Sequence, residues 1–142
     1  MRALLDINVL IALLDPDHSL HQRTRDWFGR NAATGWTSCP ITQNGCVRIM
    51  AAPGYPHPLP VRAVMERLRE ATQSPYHEFW ADDVNLLEPR IADVSRIHGP
   101  RQLTDLYLLA LAVHRGGRFV TFDASLSVSA IKGAEKKHVV PL

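Results

Sequence analysis

Cysteine is scarce in this sequence: Cys39 and Cys46 are the only two in 142 residues, and no second pair stands near them. That excludes a disulfide framework and a metal–thiolate centre, and leaves two small, partly buried thiols in a reducing compartment as the expectation. No apolar run approaches the roughly 20 residues that a membrane span needs. Met1-Arg2-Ala3-Leu4-Leu5 meets Asp6 before any signal-peptide core forms, so a cytoplasmic chain without membrane contact is expected. Charge of one sign is not concentrated either. Sixteen Lys and Arg against 14 Asp and Glu give a net charge of +2, which permits contact with a polyanion without requiring it. Ten prolines and eight glycines are scattered with no period, and there is no internal repeat. What is present is ordinary for a folded chain. A hydrophobic fraction of 46% and a charged fraction of 21% lie far from a disordered composition. The length fits one domain, residues 1–142, able to bury a core without staples.

The pattern along the chain alternates short apolar runs with helical periods. Arg2 to Leu5 stops at Asp6 and feeds Val9-Leu10-Ile11-Ala12-Leu13-Leu14, as a buried parallel strand feeds a helix. Asp15-Pro16-Asp17 ends that helix, and Asp17 or Ser19 is placed to cap a second one through Trp27 and Phe28. Gly35 to Cys39 reads as a strand, and Pro40 opens a helix over Ile41 to Ala52. Four prolines between Pro53 and Pro60 exclude regular structure there and predict a surface loop. Val61 to Thr72 is amphipathic, with Val61, Val64, Met65, Leu68 and Ala71 on one stripe. Glu78-Phe79-Trp80 is a third strand, and Ile91 to Ile97 a short helix ended by Gly99-Pro100. Thr104 is placed to cap a helix from Asp105 to His114 that is apolar nearly all round and therefore interior. Arg118 to Phe122 and Lys137 to Pro141 are the last strands. This alternation predicts an α/β fold, an α/β/α sandwich with a mainly parallel central sheet.

Asp6 and Asp123 each close an apolar strand, and ligands of open α/β sheets bind at the carboxyl ends of strands. Asp105 stands in the first turn of the interior helix. Each has a plain structural explanation: Asp6 as the cap of a helix starting at Asn8, Asp105 as a partner of the helix dipole, Asp123 as the start of a turn. Three carboxylates at one sheet edge would nevertheless repel one another unless a cation neutralised them, and hard oxygen ligands point to Mg²⁺ or Mn²⁺. Asn8 either places an amide near that cation or merely caps. His18 and His21 have i, i+3 spacing but no third ligand, and Trp27, Trp36 and Trp80 adjoin apolar neighbours as core residues do.

The stretches Leu4-Leu5-Asp6-Ile7-Asn8-Val9-Leu10, Leu103-Thr104-Asp105-Leu106-Tyr107-Leu108-Leu109-Ala110-Leu111-Ala112 and Gly117-Arg118-Phe119-Val120-Thr121-Phe122-Asp123 resemble the PIN-domain nucleases. Within that family they look most like the VapC toxins of bacterial toxin–antitoxin pairs. The likeness in order and spacing runs from about Met1 to Ser125. It implies a Mg²⁺-dependent endoribonuclease, with Mn²⁺ able to substitute, held in check by a small VapB-like antitoxin and usually homodimeric. It assigns Asp6, Asp105 and Asp123 to the metal as the catalytic acids, with Asn8 at the family's small polar position. One departure is plain: the glutamate that the family carries early in the helix after the second strand falls on Gly45, and neither Gln43 nor Asn44 restores its charge. Three carboxylates with neutral donors can hold one Mg²⁺ through water; a second ion is harder to justify. Arg48 and Arg101 are candidates for phosphate contact, or face solvent or pair with local acids. An RNA with an exposed loop is a plausible substrate. Two alternatives remain open: an inactive PIN-fold interaction module, and a metal-dependent phosphatase or DNA nuclease built on the same ligands.

Overall fold

The computed structural model describes residues 1–142. Strand β1 (Ala3–Leu5) is buried at every position, because it lies at the centre of the sheet and packs on both faces. Ala3 and Leu5 join one apolar cluster, while Leu4 joins the other. The two-residue pleat repeat thus divides the core in two. β2 (Trp36–Ser38) and β3 (His77–Phe79) extend the sheet on one side of β1, and β4 (Arg118–Thr121) and β5 (Val139–Pro141) on the other. The order is β3-β2-β1-β4-β5, and every pairing is parallel.

Helices α1 (Ile7–Leu14), α2 (His21–Asn31), α3 (Pro40–Met50) and α4 (Val61–Thr72) cover the face of Ala3, Leu5 and Val120. The opposite face, carrying Leu4 and Phe119, is covered by α5 (Leu103–His114), with Trp80, Ala92, Ala130 and Ile131. Six of the seven residues from Leu106 to Ala112 in α5, all but Tyr107, are buried, which is why that helix is apolar around its circumference. The α/β/α sandwich is therefore as expected, with a sheet that is wholly rather than mainly parallel. Cys39 and Cys46 are free and fully buried, and burial pushes their thiols up to about 11 and about 12, so both stay protonated. No helix is long and apolar enough to cross a membrane.

Several local expectations fail for tertiary reasons. Ile91 to Ile97 is not a helix; only Val94–Arg96 forms a 3₁₀ turn. The backbone there is engaged elsewhere: Ala92 bridges Ile131, Asp93 N–H donates to the Ala130 carbonyl at 2.8 Å, and Lys132 N–H donates to the Ile91 carbonyl at 2.9 Å. Thr104 does not cap α5. The 3₁₀ turn Pro100–Gln102 runs directly into the helix, which begins at Leu103 and leaves Thr104 inside its first turn. Neither Asp17 nor Ser19 caps α2; its N-cap is Leu20, whose N–H donates to His18 Nδ1 at 3.0 Å. Strand β2 is shorter than Gly35 to Cys39, because Cys39 already serves as N-cap of α3, its N–H bonded to Thr42 Oγ1 at 3.0 Å. β3 lies one residue earlier than Glu78 to Trp80, and β5 starts at Val139 because Lys136–His138 form a 3₁₀ turn.

Candidate active site

The chain leaves β1 at Asp6, whose N–H donates to the Val120 carbonyl at 2.9 Å and so still belongs to the sheet edge. With φ −60° and ψ 157° it is extended, and the helix begins at the next residue, Ile7 rather than Asn8. Asp6 Oδ1 accepts from Ile7 N–H at 2.7 Å, and Oδ2 accepts from Thr121 Oγ1 at 2.9 Å. Its carboxylate is therefore buried, 7% exposed, and held at both oxygens. Thr121, fully buried at the end of β4, also accepts from Asp123 N–H at 3.1 Å. One hydroxyl thus ties the two strand-end acids together. Asp123 is exposed and opens a turn, its Oδ1 accepting from Ser125 N–H at 2.8 Å and Ser125 Oγ at 2.6 Å. Asp105, half-buried, points from the first turn of α5, where the helix dipole favours an anion. The structural roles weighed for Asp6 and Asp123 are real, and they coexist with convergence.

All three carboxyl groups line one cleft of about 400 Å³ at the carboxyl edge of the sheet, together with Asn8, Thr104 and Thr121. Ile7, Ile49 and Phe122 supply its apolar wall. The electrostatics carry the mark of crowding. Burial first, then the charges of Asp6 and Asp123, push the Asp105 carboxyl up to about 6. Burial also raises Asp6, with Asp123 adding to it and the bonds from Thr121 and Ile7 opposing. Asp123 is lowered by the two Ser125 hydrogen bonds.

No trio of His, Cys, Asp or Glu side chains is drawn closely enough together to enclose an ion by protein atoms alone. Carboxylates without a counter-cation repel, and Asp123 is turned towards Ser125, so a loose set is the physical expectation. A hard, oxygen-only donor set of this kind fits Mg²⁺, which keeps several waters and takes one or two carboxylates directly. It does not fit zinc.

The other sequence candidates divide. Asn8 is exposed and lines the cleft. Arg48 on α3 and Arg101 in the 3₁₀ turn before α5 are exposed, join none of the six ion pairs and do not line the cleft, although their near neighbours Ile49 and Thr104 do. His18 and His21 do not form a ligand pair: His18 Nδ1 takes the Leu20 N–H, and His21 Nδ1 lies 2.7 Å from the Ala12 carbonyl. Trp36 and Trp80 are core residues, and Trp27 is partly buried beneath the Arg118 guanidinium. Gly45 is buried in mid-α3, where an added Cβ would stand 2.6 Å from Ile7 Cδ1 and 2.9 Å from Ile7 Cγ1. Sequence reasoning missed Thr121. The signal was available: a hydroxyl in the buried run Phe119-Val120-Thr121-Phe122 must find a partner.

Comparison with known proteins agrees with this geometry. The PIN domain family matches residues 3–132. Ribonuclease VapC44 of Mycobacterium tuberculosis (strain ATCC 25618 / H37Rv) is 52% identical over 142 residues, covering 100% of both chains. Ribonuclease VapC39 of the same strain is 41% identical over 134 residues, covering 94% of this chain and 96% of its own. Among solved structures, a chain of VapBC2 from Rickettsia felis, crystallised bound to a DNA fragment from their promoter, superposes with a TM-score of 0.55 at 12% identity. That match covers 87% of this chain and 89% of the other, and shows the same fold. On the family match and the full-length identity together, this chain belongs to the PIN-domain family, among its VapC ribonucleases.

Proposed function

We propose that the protein is a Mg²⁺-dependent endoribonuclease, the toxin of a toxin–antitoxin pair, with Asp6, Asp105 and Asp123 holding the ion directly or through water and Asn8 assisting. The observation that carries this reading is the single cleft into which β1, α5 and β4 deliver one carboxylate each. Full-length identity to proteins named as ribonucleases supports RNA as the substrate. A divalent cation held there would supply charge neutralisation for the scissile phosphate and would lower the pKa of a water bound to it. The chain's own contribution is positional. Thr121 and the Ile7 N–H fix the Asp6 carboxylate, and Ser125 fixes that of Asp123. Asp105, whose carboxyl is raised to about 6 by burial and then by the charges of Asp6 and Asp123, would hold the ion in its ionised form. Arg48 and Arg101, exposed and in no ion pair, are assigned to phosphates of the flanking RNA.

The partners in this reading are the RNA, a small VapB-like antitoxin and a second copy of the chain. Support for a protein partner comes from the groove between α3 and α4, where Val61 and Met65 remain 55% and 56% exposed. The alternative of an inactive interaction module loses its main support, since Gly45 has a packing role against Ile7 and need not mark a decayed site.

The test is to incubate purified, partner-free protein with structured RNAs and Mg²⁺ or Mn²⁺, beside Asp6→Asn. Metal-dependent cleavage lost in Asp6→Asn is the expected result. No cleavage of any RNA together with no growth arrest on expression would overturn the toxin reading. Parallel reactions with duplex DNA and a phosphomonoester separate the nuclease and phosphatase alternatives.

A further inference from the structure

Besides its carboxylates, the cleft has a wall of a different kind. Ile7, Ile49 and Phe122 line it, each half-buried and each packed against the core cluster that contains Leu5, Val9 and Val120. The wall is thus held by the core rather than free to swing. Phe122 is further fixed by its neighbours in the chain, since the Asp123 N–H donates to Thr121 Oγ1 at 3.1 Å and the Leu142 N–H to the Thr121 carbonyl at 2.9 Å. Among the nine lining residues there is no lysine, arginine or histidine. That combination selects among the parts of an RNA strand. A phosphate or a ribose set against hydrocarbon loses water without gaining a partner. A nucleobase instead has two apolar π faces and a polar edge, and unpaired bases stack on aromatic side chains. The cleft volume of about 400 Å³ falls in the range of small-ligand pockets, about 300–1,000 Å³, and so has room for one base beside the acids.

We propose that Phe122, with Ile7 and Ile49 beside it, is the stacking platform for one unpaired nucleobase next to the phosphodiester to be cut. The proposal rests on the ribonuclease reading above and deepens it by naming a residue that binds the substrate. Phe122 directly precedes Asp123, so a base seated on its ring brings the adjoining phosphate to the carboxylate side of the same cleft. A flexible single strand is thereby held in one register before reaction, which is the contribution of a positioning contact. Stacking accepts any base, because every base has a π face. The platform therefore selects unpaired over paired nucleotides rather than one sequence over another.

The experiment measures binding by the full-length Asp6→Asn chain, which is expected not to cut and carries one fewer repelling charge in the cleft. The probes are a fluorescent adenylate decamer and an abasic ribose–phosphate strand of the same length, both in Mg²⁺, read by anisotropy. The adenylate strand is expected to bind at least about 5-fold more tightly. Adding Phe122→Leu keeps an apolar side chain and removes the π face. The adenylate strand should then bind about 5- to 150-fold more weakly, the range that one base stacked on an aromatic ring is worth, while the abasic strand binds as before. A Phe122 that serves the core alone would weaken both strands alike. That result, or an adenylate affinity unchanged by Phe122→Leu, would overturn the proposal. Should circular dichroism show that Phe122→Leu does not fold, the two strands on the Asp6→Asn chain decide: equal affinities overturn the proposal, and a base-dependent affinity upholds it. Native chain that cuts RNA while base removal costs nothing in binding would sink the platform and leave the ribonuclease reading standing. A chain that neither binds nor cuts any RNA would remove both.

Discussion

Thr121 holds two acids with one hydroxyl, giving a hydrogen bond to Asp6 and taking one from the Asp123 N–H. Thr121→Val keeps the shape and removes both. Leaving a buried carboxylate oxygen without its donor costs roughly 1–3 kcal/mol, and loss of a ligand-orienting partner lowers metal affinity or activity by about 10–100-fold. Thermal melts and Mn²⁺ titrations read the two effects, and Thr121→Ser should recover most of both. Asp105 gives a pH prediction. The folded chain keeps its proton up to about pH 6, whereas an ordinary aspartate releases it near 3.8. Folding therefore takes up a proton between those values, and stability falls as pH rises through that window. A bound cation relieves the repulsion, so the rise in melting temperature on adding Mn²⁺ should be large at pH 7.5 and small at pH 5. An equal rise at both would contradict the assignment of Asp105. At this scale the acids were legible in the sequence because they interrupt apolar runs. The hydroxyl joining them could be suspected from its place in a buried apolar run, but its partner Asp6 lies in another strand and only the tertiary structure names it.

Helix α3 shows how one element is fitted to another. Gly45 lies in mid-helix, where glycine is less favourable than alanine by about 0.5–1 kcal/mol, and its compensation is the approach of Ile7. Gly45→Ala should gain that propensity and lose more to overpacking, typically 1–3 kcal/mol. Added to Ile7→Ala, the same change should be nearly neutral or stabilising. Chemical denaturation of the four chains of this double-mutant cycle measures the coupling; additivity would mean that the two side chains do not meet. On the other face, Leu109 of α5 is fully buried, and Leu109→Ala should lower stability by roughly 2–5 kcal/mol. The strand-then-helix alternation and the interior character of α5 were legible from period and composition. The extents of Ile91 to Ile97 and the caps of α2 and α5 were not. The Ile91 to Ile97 boundary is set by bonds to Ile131 and Ala130 from far along the chain, while the caps of α2 and α5 turn on the His18 ring and a preceding 3₁₀ turn, local alternatives to the capping residues expected.

Across the molecule, a net charge of +2 leaves RNA binding to a few local cations rather than to a broad positive field. If Arg48 and Arg101 contact phosphates, removing either should reduce the slope of log K against log salt by about 0.7 for single-stranded RNA and weaken different RNAs about equally. Filter binding at several salt concentrations with the Asp6→Asn chain checks this without cleavage. An unchanged slope would return both arginines to the solvent. The sequence by itself determined the α/β layering, the mainly parallel sheet and the interior helix, and marked the three acids as candidates, because periodicity and the ends of apolar runs are local properties. Tertiary structure alone decided that Thr121 would join Asp6 to Asp123, and that burial, then the charges of Asp6 and Asp123, would raise Asp105. It also decided that Gly45 would be filled by Ile7. Each of these is a contact between residues far apart in the chain, fixed by the order β3-β2-β1-β4-β5 and the crossing of α1 with α3. No spacing along one strand or helix encodes such a contact.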